Sequence, residues 1–253
     1  MRYKKLPPEA WLHVNPTWAQ RFFWLWLVPP GRFVMRYRAY GHSPRVPTTG
    51  GFLLAPGPHA AMLDPFMVGL GQKRRRLRFM VKENALGWPF MGWLIRWCGG
   101  FPVRRGGPQV EQWLDLSRQI VESGDGLTIF MEGRLVVETV GLGTPRNGMA
   151  RLALQTGAPV VPVGLHGAKR PGAYGKRWWW HWPRITLVWG EALSFERESD
   201  PSDERVAEVR DAIWASVEQC FRQATQIGMR PSHRPPSGTS LEAALAEPSP
   251  FAR

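Results

Sequence analysis

The chain has 253 residues, 43% hydrophobic and 21% charged, which supplies apolar material for one large domain and excludes wholesale disorder. Lys and Arg number 33 against 20 Asp and Glu, and the excess is uneven: residues 1–110 hold 17 basic and 3 acidic side chains, residues 191–253 hold 7 and 11. A basic N-terminal half selects anionic partners, while two widely spaced cysteines, Cys98 and Cys220, without a His cluster exclude a disulfide framework and a zinc site.

Residues 10–40 interleave aromatic rings (Trp11, Trp18, Phe22, Trp26, Phe33) with Arg21, Arg32, Arg36 and Arg38. The pattern predicts two short amphipathic helices broken at Pro29-Pro30-Gly31. Such helices suit the headgroup boundary, rings at the interface and guanidinium groups on anionic lipid, although packing on the protein's own core would use the same pattern. The longest apolar run, Phe22 to Val28, is far short of the roughly 20 residues that span a bilayer. Pro-Pro-Gly-Arg follows it where a secretory signal would carry a small-residue cleavage site.

From residue 51 short apolar runs alternate with helical stretches, the signature of an α/β domain. Strands are expected at 52–55, 77–82, 127–131, 159–165 and 184–189, and helices at 65–71, 88–98, 108–123, 146–156 and 203–225. The last helix carries Val206, Val209, Ile213 and Val217 at three-to-four spacing, and Gly124 and Gly157 stand where helices should stop. The fold class is therefore α/β, a mixed sheet flanked by helices, with the N-terminal amphipathic two-helix motif as a membrane-docking element. The domain reading is 1–45 membrane-associating helices, 46–228 the main domain, and 229–253 a Pro- and Ser-rich tail expected to be mobile. Lys73-Arg74-Arg75-Arg76 with Arg78 is either a solvated loop or a binding run for anions. Trp178-Trp179-Trp180-His181-Trp182 is an interface-dipping loop, a groove rim or ordinary packing.

Pro58-His59-Ala60-Ala61-Met62-Leu63-Asp64 follows directly on the first core strand, the edge of an α/β sheet where ligands bind. A carboxylate hydrogen-bonded to a His ring fixes its tautomer and raises its basicity, so the ring can take a proton from an alcohol that attacks a carbonyl. No Ser or Cys flanks His59 to act as a nucleophile.

Three further blocks follow in order: Gly99-Gly100-Phe101-Pro102-Val103-Arg104-Arg105, Phe130-Met131-Glu132-Gly133-Arg134, and Val160-Val161-Pro162-Val163. With the His-x4-Asp pair, this series over residues 45–190 resembles the glycerolipid acyltransferases, the family that includes the 1-acylglycerol-3-phosphate acyltransferases. The resemblance implies that His59 is the general base and Asp64 its orienting partner. It implies that Arg104 or Arg105, Glu132, Gly133 and Arg134 bind the acceptor, with Arg146, in a basic-x-Gly match before the next helix, a second phosphate candidate. It places Pro162 on the acyl-donor side. The third block departs from the family's Phe-Pro-Glu-Gly-Thr-Arg-Ser: Met131 replaces the Pro, Arg134 directly follows Gly133, and Leu135-Val136 stand where polar residues are usual.

The expected reaction passes a fatty acyl group from acyl-CoA or acyl-carrier protein, as substrate, to a lysolipid hydroxyl, with no metal and no further cofactor. The expected acceptor is 1-acyl-sn-glycerol 3-phosphate, giving phosphatidic acid; a glycolipid, another lysolipid or a carotenoid sugar is the alternative that the altered block would suit. The expected partner surface is an anionic membrane on its cytoplasmic face, bound peripherally. A non-enzymatic surface binder would share the charge and the Trp content. Nucleic acid is not expected, because no recognition helix, RRM-type signature or zinc spacing is present.

Overall fold

The computed structural model describes residues 8–12, 22, 25–26, 28–41, 46–61, 64–71, 75–87, 91–103, 110–135, 141–168, 184–229 and 239–246. In chain order the elements are α1 (Val28–Val34), β1 (Arg38–Tyr40), β2 (Phe52–Gly57), α2 (Asp64–Gly71), β3 (Leu77–Lys82), α3 (Met91–Trp97) and β4 (Gly100–Val103). They continue with α4 (Val110–Glu122), β5 (Gly126–Thr128), α5 (Gly148–Thr156), β6 (Val160–His166), β7 (Thr186–Trp189), α6 (Asp203–Gly228) and α7 (Leu241–Ala246). The strands form one sheet in the order β1-β7-β6-β2-β5-β3-β4.

β2 lies inside this sheet because its sequence, Phe-Leu-Leu-Ala-Pro-Gly, has no charge to keep wet, and every residue of it is buried. Alternation then divides the core. Leu53 and Ala55 face one layer with Leu127, Val160 and residues of α4, α5 and α6; Phe52 and Leu54 face the other with Val161, Val163, Leu187, Trp189 and α2. α6 starts at Ser202, whose hydroxyl accepts the Arg205 N–H, and buries Val206, Val209, Ile213, Val217, Cys220, Ala224 and Ile227. It lies directly on β6 at Gly164, where a Cβ would fall 2.1 Å from the Cys220 carbonyl carbon. β2, β3, β4, β5 and β6 run parallel; β7 is antiparallel to β6. The C-terminal ends of five strands therefore share one edge.

The mixed sheet and helical flanks agree with the sequence reading, and several local expectations change. Pro29-Pro30-Gly31 lie in the first turn of α1, which begins at Val28, where a proline's missing N–H removes no helical hydrogen bond. Residues 38–40, at the end of the segment expected to form amphipathic helices, form an edge strand paired with β7. The strand expected at 127–131 ends at Thr128, because the chain folds into a turn in which the Gly133 N–H donates to the Phe130 carbonyl. In the Pro- and Ser-rich segment expected to be mobile, α7 packs Ala244 at 0% exposure into a cluster with Tyr40, Val188, Cys220 and Ala224. The Trp178–Trp182 run lies outside the described residues.

The basic run is neither a solvated loop nor an anion site in its described part. Arg75 donates to the carbonyls of Pro47 at 2.8 Å, Gly124 at 2.7 Å and Gly50, and Arg76 grips both Asp125 carboxylate oxygens, at 2.6 and 2.8 Å. Arg78, 1% exposed, donates to the Trp11 carbonyl and stacks over Phe101; burial lowers its pKa to about 10, partly offset by Asp125. Arg75 and Arg76 fasten the N-terminal ends of β2, β3 and β5, the edge opposite His59. Arg75→Ala is accordingly expected to cost about 1–3 kcal/mol, from three carbonyls losing a charged donor that is partly solvent-screened. The check is a lower urea midpoint at unchanged m-value.

Candidate active site

β2 delivers the chain to the sheet edge at Gly57, and His59 follows two residues later. The imidazole stacks on Phe130, centroids 4.2 Å apart at 24°, and its side chain keeps 17% exposure. Its Nδ1 lies 3.1 Å from Asp64 Oδ2, which also accepts the Ala61 N–H at 2.7 Å. Asp64 is fully buried as the first residue of α2 and benefits from the partial positive charge of that helix end. With Nδ1–H directed to the carboxylate, Nε2 carries the lone pair that can accept a proton.

A second carboxylate holds the same residue from behind. Glu132, four residues past β5 and 2% exposed, accepts the His59 main-chain N–H on Oε2 at 2.8 Å and the Gly143 N–H on Oε1 at 3.1 Å. Its carboxylate is turned to the protein's own main chain, with each oxygen accepting one amide N–H. Gly133 has φ +65°, and a Cβ there would meet Arg146 Cδ at 2.7 Å; the glycine lets the Arg146 stem cross it. Arg146 donates from its main chain to the Met131 carbonyl at 2.8 Å and from Nε to the Glu132 carbonyl at 3.3 Å. Arg134 and Arg146 are both exposed beside this turn.

Pro162 does not reach the edge. It pairs with Ala55 inside the sheet and is buried, its carbonyl accepting the Gly190 N–H at 2.9 Å. Arg104 and Arg105 lie outside the described residues. Sequence reasoning passed over Phe130, whose aromatic type inside the third block was the available signal, and Gly143, for which there was none. Among the described residues no three His, Cys, Asp or Glu side chains converge as a metal ion would need.

Burial pushes both carboxyls above their ordinary range. For Asp64 the His59 ring and the Ala61 amide pull back against it; for Glu132 the amides of Gly143 and His59 do. The native protein therefore binds protons at these sites more tightly than the unfolded chain. Their contribution to stability is complete below the unfolded carboxylate pKa of about 4 and is lost as pH rises through the raised native values. Asp64→Asn, which removes a buried charge and keeps its shape, is expected to melt at or above the wild-type temperature at neutral pH. Its stability should also fall less from about pH 4 to about pH 7. Thermal unfolding across pH checks this; a lower melting temperature would mean that the hydrogen bonds outweigh the desolvation.

The comparisons with known proteins converge on acyltransferases. A 1-acyl-sn-glycerol-3-phosphate acyltransferase of Streptococcus pneumoniae is 21% identical over 187 residues, 74% of this chain and 67% of that protein. The chloroplastic 1-acyl-sn-glycerol-3-phosphate acyltransferase BAT2 of Brassica napus is 30% identical over 111 residues, 43% of this chain and 31% of its own length. The crystal structure of the 1-acyl-sn-glycerophosphate acyltransferase PlsC from Thermotoga maritima superposes with a TM-score of 0.57 at 19% identity, covering 79% of this chain and 80% of that one, a likeness of fold. The profile described as Acyltransferase matches residues 39–166, which hold His59, Asp64, Glu132 and Arg146, and the chain belongs to the acyltransferase family.

Proposed function

We propose that this acyltransferase moves a fatty acyl group from a thioester, acyl-CoA or acyl-carrier protein, to the free hydroxyl of 1-acyl-sn-glycerol 3-phosphate, giving phosphatidic acid. The observation that carries the reading is the buried Asp64 on Nδ1 of a His59 whose side chain is only partly buried at the shared strand edge. Nε2 takes the hydroxyl proton, the alkoxide attacks the thioester carbonyl, the C–S bond breaks, and the thiolate leaves with the proton returned from the imidazolium. The names of the two relatives support the acceptor, and Arg134 and Arg146 are cations placed beside the site. Transfer to an uncharged lipid hydroxyl is the second reading, favoured by Leu135-Val136 in the third block.

The same reading places the enzyme on the anionic cytoplasmic face of a membrane. Phe22, Leu25, Trp26 and Phe33 are 46–83% exposed, and they do not stand alone: the Phe22 ring meets Trp97 of α3 edge-on at 5.7 Å, and Trp97 stacks near Trp93, itself 47% exposed. Apolar rings at this density suit an interface, and the basic N-terminal half suits its charge. No helix among the described residues is long and apolar enough to cross a membrane.

Free-thiol release with acyl-CoA and the phosphorylated acceptor tests the chemistry. His59→Ala should lower turnover by at least about 10²–10⁴-fold while the protein stays folded. Arg146→Ala and Arg134→Ala should raise KM for that acceptor about ten- to a hundredfold in whichever residue pairs with the phosphate, from ~1.5–3 kcal/mol for a charged hydrogen bond. Wild-type activity confined to uncharged acceptors would establish the second reading. For the membrane surface, flotation with anionic liposomes should drop when Phe22, Trp26 and Trp93 are changed to Ser, and in high salt. Retention indifferent to both would remove peripheral docking.

A further inference from the structure

The Met131–Gly133 turn is joined to the 141–146 segment by three hydrogen bonds: Arg146 N–H to the Met131 carbonyl, Arg146 Nε to the Glu132 carbonyl, and Gly143 N–H to Glu132 Oε1. It is joined to the catalytic loop by a fourth, His59 N–H to Glu132 Oε2. A carboxylate at 2% exposure is costly to keep ionised, and here each oxygen is matched by a main-chain donor. Both donors come from segments outside regular secondary structure, and neither has a strand or helix of its own to fix its position. On the far side, Leu142 packs over the end of β2, since a Cβ on Gly57 would meet Leu142 Cδ2 at 2.7 Å.

We propose that Glu132 is a positioning residue: its carboxylate ties the His59 main chain to the Leu142–Gly143 turn, so that the base and the segment carrying Arg146 move as one unit. Asp64 sets the orientation of the ring, and Glu132 sets the place of the peptide that the ring hangs from. Because Arg146 is fastened to the same turn, Glu132 also fixes the span between the proton-accepting nitrogen and a cation for the acceptor. That span limits which separations of hydroxyl and anionic group a lysolipid can present. The kinetic part of this inference rests on the acyl-transfer reading; the mechanical part does not.

The test compares the full-length protein with Glu132→Gln, Gly143→Pro and the double variant, by hydrogen exchange and by thiol-release kinetics. Glu132→Gln leaves one acceptor oxygen for two donors, and Gly143→Pro removes a donor while the carboxylate stays. Amide exchange at 59–61 and at 141–146 should rise about tenfold or more in Glu132→Gln, and Gly143→Pro should raise it at 59–61 as well. Turnover should fall about ten- to a hundredfold with KM for both substrates within about threefold. The double variant should lose little more than the worse single one, as coupled residues do. A raised acceptor KM at unchanged kcat would make Glu132 a substrate contact and overturn the proposal. So would multiplicative losses, or exchange in Gly143→Pro confined to 141–146, a result that stands even if Glu132→Gln fails to fold. A wild-type protein inactive on every acceptor but showing the coupled exchange would sink the acyl-transfer reading and leave the brace standing.

Discussion

The carboxylate of Asp64 has no exposure to solvent, and a charge in that position survives only if its surroundings replace the water it has lost. The first turn of α2 contributes a helix N-terminus, Ala61 an amide and His59 an imidazole nitrogen. The rest of the edge follows from this one buried anion. The chain must leave β2 and enter α2 within a few residues, so the loop is short, and His59 is held at its ring before any substrate arrives. Preorganisation of that kind spares the protein a reorientation during proton transfer.

The sheet makes the arrangement transferable from one strand to its neighbours. β5 ends at Thr128 opposite Leu54 while the parallel β2 runs on to Gly57, so the turn after β5 lies alongside the end of β2 and meets His59 without a long excursion. Phe130 supplies a flat apolar wall for the imidazole, and two residues later Glu132 reaches the main chain beneath it. One carboxylate thus acts on the ring and another on the peptide. The opposite edge is closed by Arg75 and Arg76 with carbonyls and Asp125, and its cations are consumed there.

How much of this was legible in the sequence depends on the range of the interaction concerned. The long α6 could be read because its burial repeats with the helical period, and β2, β3 and β6 because each is a short, largely apolar run. The His59–Asp64 pair could be read because one turn of loop joins its members. β1 could not, since three residues carry no period and its partner β7 lies far along the chain. The fate of Arg75 was hidden for a similar reason: its acceptors are carbonyls of Pro47, Gly50 and Gly124, and a carbonyl leaves no trace in residue type. Glu132 was picked out by its motif, but the His59 and Gly143 amides that it accepts from were not, because a main-chain N–H is equally invisible. Pro162, another motif residue, lies in the sheet interior opposite Ala55.

The pairing of β1 with β7 has a consequence for how the protein is born. Arg38 cannot find Thr186 until almost three quarters of the chain has left the ribosome, on the order of ten seconds after the N-terminal segment at ordinary translation speed. During that interval the aromatic stretch before β1 has no sheet edge to anchor its end, and the sequence separation makes the closing contact a slow one. A nascent chain in this state presents its stickiest surface first. Whichever apolar phase lies within reach, a bilayer, a chaperone or another nascent copy, competes for it before the domain is complete.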